Sequence, residues 1–191
     1  MEQVKKEKKE KINKAAISVI SREGFYAATT DKIASEASVA VGTIYNYFKS
    51  KEDILINIFK TENDRRNSFY QIISQMELEP IDKIRSVLDM LFAGLTSSPE
   101  LFQILLSERS SYLRISGDGC ESENGLLFFI LTVLEKGIGE KKIRDCDTTV
   151  AAVAITGAIE TVISSCLEDK NINAEEAKEQ MLLLIGKGIL V

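Results

Sequence analysis

The stretch 29–53, TTDKIASEASVAVGTIYNYFKSKED, gathers the side chains of this chain best suited to reading another molecule. Ala40, Val41, Gly42 and Thr43 make a slim helix end, narrow enough to enter the major groove of a duplex. Gly42 lets a backbone come close, and Thr43 offers a base edge either a hydroxyl or a methyl group. Tyr45, Asn46 and Tyr47 follow on the outer side, whereas Ile44 and Phe48, four residues apart, face inward. Lys49 and Lys51 lie where a phosphate backbone would pass, and the helix start at Thr30 is a second place for phosphate. The chemistry on offer is hydrogen bonding and charge pairing, not bond making.

Bond-making chemistries are excluded by what is missing. The chain has no histidine, which removes Ser-His-Asp and Cys-His triads, imidazole-bound zinc and an imidazole pH switch. Cys120, Cys146 and Cys166 are spaced neither as metal ligands nor as a redox pair, and their odd number argues against a disulfide framework. They read as small, partly buried thiols in a reducing cytoplasm. There is no GxxxxGK[ST] phosphate loop and no carboxylate pair beside a nucleophile. An enzyme, a metal and a cofactor are therefore not expected.

The elements that must position the 29–53 stretch are helices. The 191 residues include only 2 prolines, so the main helix breaker is nearly absent. Ile12, Ala16, Val19 and Ile20 form one helical face, which Gly24 ends. Thr29 or Thr30 caps a second helix that buries Ile33, Ala34 and Ala37, and a third runs over 41–48. Ser50-Lys51-Glu52-Asp53 is a capping pattern that opens a long helix to about residue 75. Five more helices are expected at about 80–97, 99–113, 123–139, 147–168 and 174–189, with Pro80 and Pro99 near two starts and a glycine-rich loop over 115–120. The expected class is all-α with about nine helices: a three-helix helix-turn-helix domain over 1–50 and a helical domain over 51–191.

Charge divides the same way. Residues 1–52 carry ten basic and seven acidic side chains, and the remainder fourteen against twenty-two. A basic head on an acidic body points to a polyanion at the head. A solvated tail is the plainer reading of the N-terminal lysines than a clamp. The longest apolar runs, 126–134 and 150–159, fall short of the roughly 18 residues that span a bilayer, so no membrane association and a cytoplasmic location are expected.

These residues resemble the N-terminal DNA-binding domain of the TetR family of bacterial transcriptional regulators. The likeness rests on Thr30, Ile33, Ala34, Val39, Gly42, Thr43, Ile44, Tyr45, Tyr47, Phe48, Ser50, Lys51, Glu52, Asp53 and Ile54 at fixed spacing, and covers about residues 8–60. It implies phosphate contacts at Thr30, Tyr47 and Lys51, and a recognition side formed by Val39, Ala40, Val41, Gly42, Thr43, Tyr45 and Asn46. Two positions depart from the family pattern. Ser38 stands in the turn where glycine is common, which predicts a mildly strained left-handed residue. Val41 replaces a frequent polar or basic residue, so one usual DNA contact is expected to be apolar here, which leaves the operator sequence open but not the binding.

A single head reads few base pairs, so a homodimer on a palindromic operator is expected. Ala151, Ala154, Ala158 and Ser165, with Gly157 and Thr161 alongside, and Met181, Leu184, Ile185 and Gly188 predict a dimer face on the last two helices. The resemblance implies a ligand-binding body whose candidate pocket residues are Phe92, Leu95, Arg109, Tyr112, Phe129 and Glu160. The 51–56 and 157–162 segments are similar to those of fatty-acyl-CoA-responsive members of the family. They imply a small apolar effector, such as an acyl-CoA, that releases a repressor from its operator. A helical ligand carrier without DNA binding is the alternative.

Overall fold

The structure, a computed structural model, describes residues 2–117 and 125–191. Cys120 and the end of the expected 115–120 loop lie outside the described residues. The described residues form ten helices: α1 Glu2–Glu23, α2 Thr30–Glu36, α3 Val41–Tyr45, α4 Lys51–Gln75, α5 Pro80–Ser97, α6 Pro99–Ser107, α7 Arg109–Ser116, α8 Gly125–Gly139, α9 Thr148–Glu168 and α10 Ala174–Ile189. The chain is all-α, and the one β-type pairing among the described residues is an isolated bridge between Ile143 and Leu190.

Two compact units emerge, one of Met1–Glu62 with Glu100–Gly119, the other of Asn63–Pro99 with Cys120–Val191. α4 contributes to both, since the division falls between Glu62 and Asn63.

The first unit is built around Ile12, Ala16, Val19, Phe25, Ile33, Ala34, Ile44, Phe48, Ile54, Leu55 and Phe59, all almost fully buried. Gly24, at φ +79°, ends α1, and its N–H donates to Ile20 O at 2.8 Å. Thr29 caps α2 by accepting the Lys32 N–H on Oγ1 at 3.3 Å, which leaves Thr30 as the first helical residue. Ser38 takes the left-handed conformation expected of it, at φ 51°, and Val39 N–H turns back to Ala34 O at 2.9 Å.

α3 is shorter than the expected 41–48. Its last turn tightens, with Asn46 N–H donating to Thr43 O at 3.2 Å and Tyr47 N–H to Ile44 O at 2.9 Å. The stretch expected as one helix over 99–113 is two, α6 and α7, which takes the number from about nine to ten. The break is at Glu108, whose backbone departs from helical geometry at φ −102°, ψ 8°. Its carboxylate leaves the helix line to accept the Phe25 N–H at 3.1 Å, a bond across 83 residues. Ile104 and Tyr112 of these helices are fully buried in the same core, where Tyr112 stacks on Phe59 at 4.4 Å with the rings 2° from parallel.

In the second unit α5 packs on α8 and α10, and α9 on α8 and α10. Asp147 and Asn173 cap α9 and α10 by accepting the N–H groups of Val150 and Glu176 at 3.0 Å. Lys178 ties α10 to α5: its ammonium lies 2.7 Å from both Asp89 and Glu175, and these hydrogen bonds hold its pKa above the ordinary lysine value. Lys83, only 5% exposed, donates to Ser74 O at 2.8 Å and so satisfies a carbonyl at the end of α4. Burial pushes its pKa down, assisted by Lys136 and Lys142 and opposed by Glu140.

α9 differs from the rest. Its 21 residues are long and apolar enough to cross a membrane by length and composition, although only 22% of its most apolar window is buried in this chain. Counting unbroken apolar runs hides this, because Thr156 and Gly157 interrupt the run without making the helix polar. Val150, Val153, Ala154, Gly157, Ala158 and Thr161 form an exposed stripe along it. On α10 Leu183 and Leu184 are exposed at 47% and 70%, whereas Met181 and Ile185 pack inward at 5% and 8%. Met181 and Ile185 thus belong to the core of their own chain, and the outward face of α10 runs through Leu183, Leu184 and Gly188.

Candidate nucleic-acid interface

α2 and α3 meet at the Ser38 turn and share the core of the first unit through Ile33, Ala34, Ala37 and Ile44. With Ile44 and Phe48 buried at 0% and 2%, the helical repeat turns the intervening residues outward. Ala40, Gly42, Tyr45 and Asn46 are exposed, Tyr45 by 54%, and Val39, Val41, Thr43 and Tyr47 are half-buried along the margin. A methyl group at Gly42 would meet nothing within 4 Å, and its φ is not positive. Nothing in the fold requires glycine there, so a requirement for it would come from whatever approaches from outside.

Thr30, half-buried, sits at the start of α2 with its Oγ1 3.4 Å from the Tyr45 hydroxyl. The start of α2 and the end of α3 are thereby joined. Ser50 and Asp53 fasten the entry to α4: Asp53 N–H donates to Ser50 Oγ at 3.3 Å, and Lys49 N–H donates to Asp53 Oδ2 at 2.9 Å. Lys49 itself is exposed.

Lys51 sits differently from an outstretched surface lysine. Its ammonium donates to Phe25 O at 2.7 Å, Ala28 O at 2.8 Å and Tyr26 O at 3.3 Å, and lies 4.5 Å from the centre of the Phe25 ring. An ammonium has three protons, and here three carbonyls of the α1–α2 connection take them. Lys32 is likewise engaged, with Glu23 at 2.7 Å and Ala27 O at 3.2 Å, and its hydrogen bond keeps the Glu23 carboxyl below its ordinary pKa.

Three residues far along the chain, Glu108, Gln103 and Arg114, hold the end of α1 and the connection after it, and were not visible as site residues in the sequence. Glu108 accepts the Phe25 N–H, Gln103 donates to Ser21 O at 3.3 Å, and Arg114 donates to the Tyr26 hydroxyl, lowering its pKa ahead of a smaller effect of Ser111. Tyr112 fills the core beneath them. No local spacing signals such a contact across about 80 residues.

The candidate effector residues divide between the units. Arg109 and Tyr112 belong to the first, and Tyr112 is part of its core. Phe92, Leu95 and Phe129 belong to the second and are buried there, while Glu160 is exposed on α9. Two clefts of the second unit are lined by other residues. One, open and about 510 Å³, lies along Ile81, Arg85, Leu182, Leu183 and Lys187. The other, about 30 Å³, lies beside Lys83, Thr132 and Lys136.

Comparison with known proteins settles the family. Residues 12–58 match the model described as bacterial regulatory proteins, tetR family. Over 185 residues, 92% of either chain, the sequence is 33% identical to the fatty acid metabolism regulator protein of Bacillus subtilis. The chain belongs to the TetR family. Among solved structures it is similar to the transcriptional regulator FadR from Bacillus subtilis in complex with stearoyl-CoA, with a TM-score of 0.80 and 29% identity, covering 92% of this chain and 96% of that one. The fatty acid degradation regulator FadR from Bacillus halodurans gives a TM-score of 0.82 at 26% identity, covering 93% and 94%. The helix-turn-helix of the family is thus α2, the Ser38 turn and α3.

Proposed function

We infer that this TetR-family chain is a ligand-responsive regulator of transcription: a cytoplasmic homodimer that holds a palindromic operator and releases it on binding a small apolar effector of the acyl-CoA class. The observation that carries the reading is the exposed edge of α3, with Tyr45 and Asn46 outward and Ile44 and Phe48 buried beneath. The stearoyl-CoA seen in the Bacillus subtilis FadR structure supports the choice of effector.

In this reading residues 1–50 read DNA, and 51–191 bind effector and dimerise. Thr43, Tyr45 and Asn46 meet base edges, Val39, Ala40, Val41 and Gly42 give close approach, and Thr30 and Tyr47 meet phosphates. Lys51 acts through the connection it holds. Phe92, Leu95 and Phe129 supply apolar lining for an acyl chain. α4, which begins at the reading head and continues into the second unit, carries the change. A coupling of about 1–3 kcal/mol changes operator affinity by roughly 5- to 150-fold.

A gel-shift titration with the DNA upstream of the protein's own gene, with and without stearoyl-CoA, tests this directly. Retardation that acyl-CoA reverses is expected. No shift on any upstream fragment would favour a ligand carrier without DNA binding. In the same assay Thr43→Ala is expected to change which base substitutions in the operator are tolerated, with discrimination falling by about 1–3 kcal/mol at one position per half-site. Unchanged base preference would remove Thr43 from the reading surface.

A further inference from the structure

The N-terminal lysines do not form a loose tail: α1 begins at Glu2, nearly three turns before the first core residue, Ile12. Along that extension charge is sorted by face. Lys8 stands one turn before Ile12 and two before Ala16, both 0% exposed, and Lys5 one turn before Lys9. Lys5, Lys8 and Lys9 therefore continue the stripe that, further along, faces the core. Glu7 and Glu10 fall on the opposite face with Lys11 and Lys14, where acids and bases alternate. Over residues 4–12 the core-side stripe carries three lysines and no acid.

A cation–π contact fixes where this stripe points. The Lys9 ammonium lies 5.4 Å from the centre of the Phe48 ring, at the end of the reading segment and next to the exposed Lys49. Lys5 and Lys8 are exposed and lie further out along the same stripe.

We propose that the first turns of α1 form a second polyanion-binding surface, in which Lys5, Lys8 and Lys9 contact the DNA phosphate backbone beside the groove occupied by α3. The inference rests on the head reading DNA, as proposed above. It adds contacts outside the helix-turn-helix, from residues that precede the 12–58 family match. Such contacts carry no base information. They raise affinity for every duplex and steepen its dependence on salt.

The test uses the full chain and a 30-base-pair duplex of random sequence, with affinity measured by fluorescence anisotropy between 50 and 200 mM salt. A Lys5→Gln/Lys8→Gln variant is expected to make the slope of log affinity against log salt shallower by about 1.8 per bound head, or about 0.9 for each phosphate no longer neutralised. A Lys11→Gln/Lys14→Gln variant removes the same charge from the outer face and is expected to leave the slope near that of the unsubstituted protein. Circular dichroism should show equal helicity for all three proteins. Equal slopes for the two variants would overturn the proposal, since net charge alone would then explain the effect. It also falls if the Lys5/Lys8 variant keeps the full slope on DNA but loses binding to vesicles of anionic phospholipid. Failure of the unsubstituted protein to bind any duplex would overturn the reading of the head itself, a distinguishable result.

Discussion

Lys51→Met is expected to lower the melting temperature by about 4–8 °C and to weaken binding to all DNA sequences alike, while leaving the salt slope unchanged. The three carbonyls of Phe25, Tyr26 and Ala28 lose one shared charged donor, and the Phe25 ring loses its cation. A charge-assisted hydrogen bond contributes about 1.5–3 kcal/mol. Because Lys51 is half-buried and water can replace part of that interaction, a net cost of about 2 kcal/mol is expected. In a chain of this size each kcal/mol shifts the melting temperature by about 2–4 °C. A loosened α1–α2 connection also frees α2, and with it the Thr30–Tyr45 pair on the reading surface. Differential scanning fluorimetry and the anisotropy titration read the two effects separately. A slope shallower by about 0.9 per head, with no loss of stability, would make Lys51 a direct phosphate contact instead.

Leu184→Arg is expected to have the larger functional effect with the smaller structural one. Leu184 is 70% exposed, so a charge there disturbs little within the chain. It lies on the outward face of α10, in the same unit as the exposed stripe of Val150, Val153, Ala154, Gly157, Ala158 and Thr161 on α9. An apolar surface of this kind fits a matching helix pair, and small residues allow the close approach that helix packing needs. If this face joins two copies, a buried arginine on each side of a two-fold axis meets its equivalent or loses its water, and either is costly. Light scattering should then find a monomer at concentrations where the unsubstituted protein is a dimer. Operator affinity should fall by about 10²- to 10⁴-fold, since the second head no longer binds at high effective concentration. A dimer that survives the change, with unaltered operator binding, would place the interface elsewhere.

Much of the fold follows from local physics. The bounds of α5 and α10 match the apolar periodicity and Thr29 caps α2 as its hydroxyl allows, whereas the left-handed Ser38 is implied by the family resemblance and not by spacing. The outward placement of Tyr45 and Asn46 follows from burying Ile44 and Phe48 on a 3.6-residue repeat. What was not legible depends on partners distant in the chain. The helix break at Glu108 coincides with its carboxylate accepting an amide 83 residues away. The sequence marks Lys51 as a candidate phosphate contact, and the carbonyls that its donors meet are brought together only by the folded turn. Met181 and Ile185 are as apolar as Leu184, and only packing against α5 and α9 separates the inward pair from the outward residue.

The return of residues 100–117 to the N-terminal unit bears on how such a protein can be taken apart. A fragment cut after α3, or even at Glu62, would lack Ile104 and Tyr112, leaving Phe59 without the ring it stacks on and the Phe25 amide without its acceptor. Swapping the reader onto a foreign sensor would therefore need two crossover points, one in α4 and another around α6 and α7. A single splice would transplant a module with a hole in its floor.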